Sequence, residues 1–217
     1  MRIRMWLLLV IVLCGCIIRA DDAAVPLAAD TVLAGLETQF AALQSVSSEF
    51  VQEKHLALFR DPIVLKGSMA IRKDGAFAWH VREPLRYSFL MQEGRLRQWD
   101  GETDKIQEIA VRSNPVFQTI FTQLRRWFSG RFSELRANYG VAIAGTNPLA
   151  LRFTPQDATR KVIAGIVVVL RDDTRYIQRV TIEETSGDRT VITFTNTVLN
   201  STIDASVWLL PPPQNKP

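Results

Sequence analysis

Residues 63–91 read IVLKGSMAIRKDGAFAWHVREPLRYSFLM, and the period of this stretch decides the fold. Ile63, Leu65, Met69 and Ile71 share one parity, as do Phe77, Trp79 and Val81, and then Tyr87, Phe89 and Met91. Side chains alternate across a strand, so each run predicts a strand with one apolar face. Arg60-Asp61-Pro62, Lys73-Asp74-Gly75, Arg82-Glu83-Pro84 and Glu93-Gly94 punctuate the runs at hairpin distances. Together they predict an antiparallel meander.

Upstream, Leu33, Leu36, Phe40 and Leu43 recur at spacings of three and four, which predicts an amphipathic helix capped by Asp30 or Thr31. Residues 21–29 read as a loose lead-in, and Ser45 to Ser48 as the break between helix and strands. Downstream, Ser113-Asn114-Pro115 offers an N-cap followed by a first-turn proline. The helix it opens is the most apolar in the chain: Val116, Phe117, Ile120, Phe121, Leu124, Trp127 and Phe128 form one wide stripe. After Gly140 strand patterns return at Val141–Ala144, Leu149–Phe153, Val162–Leu170, Tyr176–Glu184 and Thr190–Leu199. The sum is an α+β, mainly β domain of about ten to eleven strands and two substantial helices. A sheet this long curls, leaving a concave face that helices can cover.

The first twenty residues differ from the rest. Arg2 and Arg4 precede an apolar run from Met5 to Leu13, and Gly15, Cys16 and Ala20 follow, the layout of a secretory signal peptide. The run falls short of the roughly 20 apolar residues of a membrane span and soon meets Arg19, Asp21 and Asp22. Cleavage after Ala20 competes with lipid modification of Cys16, since Leu13-Cys14-Gly15-Cys16 looks like a bacterial lipobox. Both cysteines lie in this leader, so an intramolecular disulfide is not expected in the mature chain. No linker or repeat divides residues 30–213, which are expected to form one domain before a tail at 214–217. Three of the 26 basic residues belong to the leader, leaving 23 against 22 acids. A body so near neutrality gives no footprint for nucleic acid.

No arrangement in the chain announces an enzyme. The Gly-x-Ser-x-Gly elbow, the phosphate-binding loop and the dinucleotide fingerprint are all missing from the sequence. His55 and His80 fall on separate predicted strands without a ligand pattern, so no metal and no cofactor is expected. Glu183 and Glu184 are adjacent on a predicted strand and point to opposite faces, so they cannot act as an acid and base pair. What remains is an excess of large apolar side chains on one face of a curled sheet, either filling a closed core or lining a cavity.

Several motifs occur in an order that resembles one family. Phe50-Val51-Gln52-Glu53-Lys54, the Gly67 strand, Phe77-Ala78-Trp79, Pro84, Glu93-Gly94 and Trp99 are similar to the N-terminal half of the outer-membrane lipoprotein carriers of the LolA family. Leu151-Arg152-Phe153-Thr154-Pro155 and Ile203-Asp204-Ala205-Ser206-Val207-Trp208, closing on Pro211, resemble the family's C-terminal motifs. The resemblance covers roughly residues 30 to 213. It implies an unclosed half-barrel whose concave apolar face is covered by lid helices, and a periplasmic carrier for the acyl chains of lipoproteins. The implied partners are acylated cargo, an inner-membrane ABC-type release complex and an outer-membrane acceptor, with the carrier itself a monomer. Met69, Phe77, Trp79, Tyr87, Phe89 and Met91 would form the cavity floor, and Phe117, Ile120, Phe121 and Leu124 the lid. The family's lid-latching arginine falls at Lys73 here, with Arg72 one residue earlier and, on a regular strand, on the other face.

Overall fold

The computed structural model describes residues 26–110 and 130–212. The leader with Cys16, the apolar helix carrying Phe117, Ile120, Phe121 and Leu124, and the tail at 214–217 lie outside the described residues.

Helix α1 spans Pro26–Ala41 and so begins ahead of the caps expected at Asp30 and Thr31. Proline at a first helical position sacrifices no hydrogen bond, and the Leu27-Ala28-Ala29 that follows favours helix, so the lead-in is partly helical. Asp30 pairs instead with Arg136. Leu33, Leu36 and Phe40 are buried, as their spacing requires.

Strand β1 starts at Ser45 and runs to His55, so the serines expected to form a break belong to the sheet. Ser48 is buried at no cost in lost hydrogen bonds, because its hydroxyl donates to the Thr195 carbonyl at 2.8 Å beside a register shift between Ser47 and Glu49. The first meander continues with β2 (Ile63–Arg72), β3 (Phe77–Glu83), β4 (Tyr87–Gln92), β5 (Arg95–Asp100) and β6 (Lys105–Ala110). A four-residue helix α2 (Phe132–Leu135) leads into β7 (Tyr139–Thr146), β8 (Leu149–Pro155), β9 (Ile163–Leu170), β10 (Ile177–Glu184) and β11 (Arg189–Leu199). The eleven strands among the described residues join one antiparallel sheet in the order β6-β5-β4-β3-β2-β1-β11-β10-β9-β8-β7. The first and last strands therefore pair at the centre, while β6 and β7 stand at opposite margins and leave the barrel unclosed.

The expected turns have the chemistry their residues suggest. Glu93 and Gly94 both take positive φ, +52° and +75°, the conformation that a two-residue hairpin link requires. At the β2–β3 turn the Asp74 carboxylate accepts the Ala76 N–H at 3.0 Å, which holds its pKa below the usual value with help from Arg72.

The concave face packs on α1, α2 and Tyr176. Phe40 stacks on Tyr176 at 5.2 Å and meets the Phe132 ring edge-on at 5.4 Å. The sheet is not apolar on one side only, as the alternation suggested. Ala70, Ala78 and Leu90 on the convex side of β2–β4 join Ala76 and Trp208 in a second buried cluster, roofed by Ile203, Val207 and Leu210. The C-terminal segment thus straps across the convex face. Its anchor is His80, whose Nε2 lies 2.8 Å from the Val207 carbonyl while Nδ1 lies 2.8 Å from the Ser88 hydroxyl. A carbonyl only accepts, so Nε2 carries the proton and Nδ1 accepts from Ser88. Burial pushes the His80 pKa below 6.5, aided by nearby Arg82 and opposed by the bond to Val207.

Candidate functional site on the concave face

Cross-strand register decides which side chains share the concave side. Met69 pairs with Trp79 and Ile71 with Phe77 between β2 and β3. Trp79 pairs with Phe89, Phe77 with Met91 and Val81 with Tyr87 between β3 and β4. Directly opposed residues point the same way, so Met69, Phe77, Trp79, Tyr87, Phe89 and Met91 all project from one face.

Burial then divides them. Met69 is 1% exposed and Trp79 8%, whereas Phe77, Tyr87, Phe89 and Met91 are half-buried. The division follows from Gly67. A Cβ there would collide with the His80 carbonyl and come within 2.6 Å of Phe50 Cζ. Glycine lets the Phe50 ring cross β2 and stack on Trp79 with centroids 3.9 Å apart. Phe50 and Trp79 are therefore a layer of core. Phe77 lies parallel to Trp79 at 6.3 Å, and Tyr87 meets Phe89 edge-on at 5.5 Å, extending the aromatic surface outward from that layer. Burial pushes the Tyr87 phenol up to about 12, so it stays neutral at physiological pH and adds apolar surface.

A cavity of about 500 Å³ opens beside this surface, between the end of α1, the β2–β3 turn and residues 130–134. Phe40, Leu43, Val46, Ile71, Phe77 and Met91 form its apolar wall, and Glu37, Lys73, Asp74, Arg131 and Glu134 its polar rim. That volume is within the roughly 300–1,000 Å³ of ordinary ligand pockets. Phe77 and Met91 among the expected floor residues line it, while Met69, Trp79, Tyr87 and Phe89 do not. Phe40, Leu43, Val46 and Ile71 were missed as wall residues, although helical spacing had already marked Phe40 and Leu43, and strand parity Ile71, as apolar-face positions.

The two latch candidates separate clearly. Arg72 borders the cavity, but its guanidinium bonds Asp74 at 2.7 Å and lies 4.8 Å from the Trp208 ring, on the convex side. The β2–β3 register contains no shift between Met69 and Ile71 that would turn it round. Lys73 sits at the rim, where its backbone N–H donates to the Gln44 carbonyl at 2.9 Å and ties the turn to the α1–β1 link.

The described residues thus form an open antiparallel half-barrel whose apolar concave face packs on helices and ends in a cavity. The profile described as "Outer membrane lipoprotein carrier protein LolA" matches residues 41–209, well over half of the chain, and the protein belongs to the LolA family. No curated protein matches the chain significantly. Among solved structures, the Pseudomonas aeruginosa MucA/MucB complex aligns with TM-score 0.51 and 17% identity over 84% of this chain and 60% of that one. LolA superfamily protein NE2245 from Nitrosomonas europaea aligns over 83% of this chain and 96% of its own, with 10% identity and TM-score 0.43. Lipoprotein LppX from Mycobacterium tuberculosis aligns over 81% and 98%, with 12% identity and TM-score 0.45. No helix among the described residues is long and apolar enough to cross a membrane.

Proposed function

We propose that this protein is exported to the periplasm and carries the acyl chains of lipoproteins from the inner to the outer membrane. The observation that supports this reading is the apolar cavity walled by Phe77 and Met91 in a chain of the LolA family. Each buried CH₂ contributes about 0.8 kcal/mol, so a chain of about sixteen carbons left in water forfeits on the order of 12 kcal/mol. A protein must enclose it. Release is needed as well, and the pliable thioether of Met91 repacks around irregular cargo more readily than a branched side chain.

In this reading Phe77, Tyr87, Phe89 and Met91 touch the cargo, with Met69 and Trp79 as the packed layer beneath. Phe117, Ile120, Phe121 and Leu124 cover it from above. Lys73 takes the latch position, as a point charge without the planar fork of arginine. An inner-membrane ABC-type complex loads the monomeric carrier and an outer-membrane acceptor unloads it. A second reading rests on Cys16: lipid modification there would make the protein a membrane-anchored acceptor or a dedicated lipid chaperone. Intact mass of the exported protein separates the two, since a diacylglyceryl adduct belongs only to the second.

The test is saturable displacement of a fluorescent fatty acid, together with capture of an acylated lipoprotein. Phe121→Glu places a charge under the proposed lid and should abolish both while leaving the melting temperature unchanged. Binding that survives this variant removes the helix from the cargo site, and a parent protein that binds neither probe removes the carrier reading itself.

A further inference from the structure

The β1–β2 hairpin ends in Leu56-Ala57-Leu58-Phe59-Arg60-Asp61-Pro62, where a surface turn would ordinarily be polar. Leu58 is 93% exposed and Phe59 67%, and Ile63 and Val64 just below them are 47% and 38% exposed. These four make up the majority of the seven large hydrophobic residues that are exposed among the described residues, so the apolar surface is concentrated at one apex.

The apex is built, not slack. The Phe59 N–H donates to the Leu56 carbonyl at 2.9 Å and closes the turn. The Ala57 N–H donates to Asp188 Oδ1 at 2.9 Å, pinning the loop to the β10–β11 turn. Leu58 and Phe59 are thereby held outward with their backbone largely pre-ordered.

We propose that this apex is a bilayer contact, Leu58 and Phe59 entering the interfacial region of a lipid membrane. Shape argues for lipid over a protein partner. A specific protein interface buries about 800 Å² per side over a matched surface, and two side chains on a projecting turn offer far less. A bilayer accepts any convex apolar point. Charge selects the kind of bilayer. Arg60 and Asp61 stand together at the tip, and behind them Lys54 pairs with Glu184 and Lys66 with Glu83. With opposite charges matched around the apex, insertion needs no anionic headgroup, and a zwitterionic surface is sufficient. The contact is small and therefore reversible, and it needs no cargo, so it stands or falls separately from the carrier reading.

The experiment uses the exported protein with Cys16→Ser, so that no acyl anchor contributes, and vesicles of phosphatidylcholine with or without phosphatidylglycerol. Sedimentation should show partitioning onto both vesicle types with little dependence on salt. Leu58→Ser/Phe59→Ser should lower it on the order of a hundredfold at an unchanged melting temperature. A dye attached at Leu58→Cys should shift to the blue on mixing with either vesicle. Equal partitioning of parent and double variant would overturn the proposal, as would binding confined to anionic vesicles and abolished by salt, or a parent protein that binds no vesicle.

Discussion

Replacing Trp79 with alanine separates packed core from ligand cavity on the concave face. The ring is 8% exposed, stacks on Phe50 at 3.9 Å, and stands across from Met69 on one side and Phe89 on the other. Truncation removes a whole indole from a layer that cannot collapse, because β2 is held at Gly67 by the Phe50 ring and the His80 carbonyl. A filled site of this kind loses about 3–5 kcal/mol. For a domain of about 150–250 residues each kcal/mol lowers the melting point by about 2–4 °C, so a fall of about 6–20 °C is expected. Met91→Ala is the matched comparison. Met91 is half-buried on the cavity wall, so its truncation should cost on the order of 1–2 kcal/mol, about half the range for a buried methionine. Urea unfolding followed by circular dichroism gives both stabilities, and displacement of a fluorescent fatty acid, normalised to folded protein, gives the affinities. Trp79→Ala should keep its affinity and Met91→Ala should lose it. A stability loss below about 1 kcal/mol for Trp79→Ala would refute the packed-layer argument.

Gly67→Ala should lower stability by at least about 1–3 kcal/mol, because its methyl group meets Phe50 and backbone that cannot yield; a melting point equal to the parent's would contradict this. Acidification should loosen the convex strap. His80 has a depressed pKa when folded and about 6.5 when unfolded, so the unfolded chain binds the extra proton first. Its contribution is intact above pH 6.5 and declines as the pH falls from there toward the folded-state value. Urea midpoints taken between neutrality and the carboxylate range should show that decline in the parent and a flatter profile in His80→Gln.

The meander was legible because alternation is a local property. The parity shared by Met69, Phe77, Trp79 and Met91 follows from strand geometry alone, and the register of β2–β4 preserves it. The two starts were misread for local reasons too: Pro26 gave no polar cap to mark the helix, and serines at 45, 47 and 48 look like a loop until Thr195 supplies the partner that lets Ser48 be buried. What the residues could not reveal was depth. Whether Trp79 is core or cavity wall depends on the Phe50 ring crossing Gly67, a contact between strands whose neighbours in the chain do not predict it. The convex cluster left a fainter trace, the small side chains Ala70, Ala76 and Ala78 at even positions, which make room for Trp208 more than a hundred residues later.

The central seam has a consequence for how the chain assembles. Every other pairing in the sheet joins strands adjacent in sequence, so each meander can form from short-range contacts and at low loop-closure cost. The seam between β1 and β11 joins the first strand to the last, from Val46 against Leu199 to His55 against Arg189. As the chain emerges, β1 must wait with a bare edge until β11 arrives, and α1 must wait for Tyr176 to complete the stack on Phe40. The slow event in folding is then the meeting of two preformed halves, and the vulnerable species is a first half whose unpaired β1 can recruit a strand from another molecule.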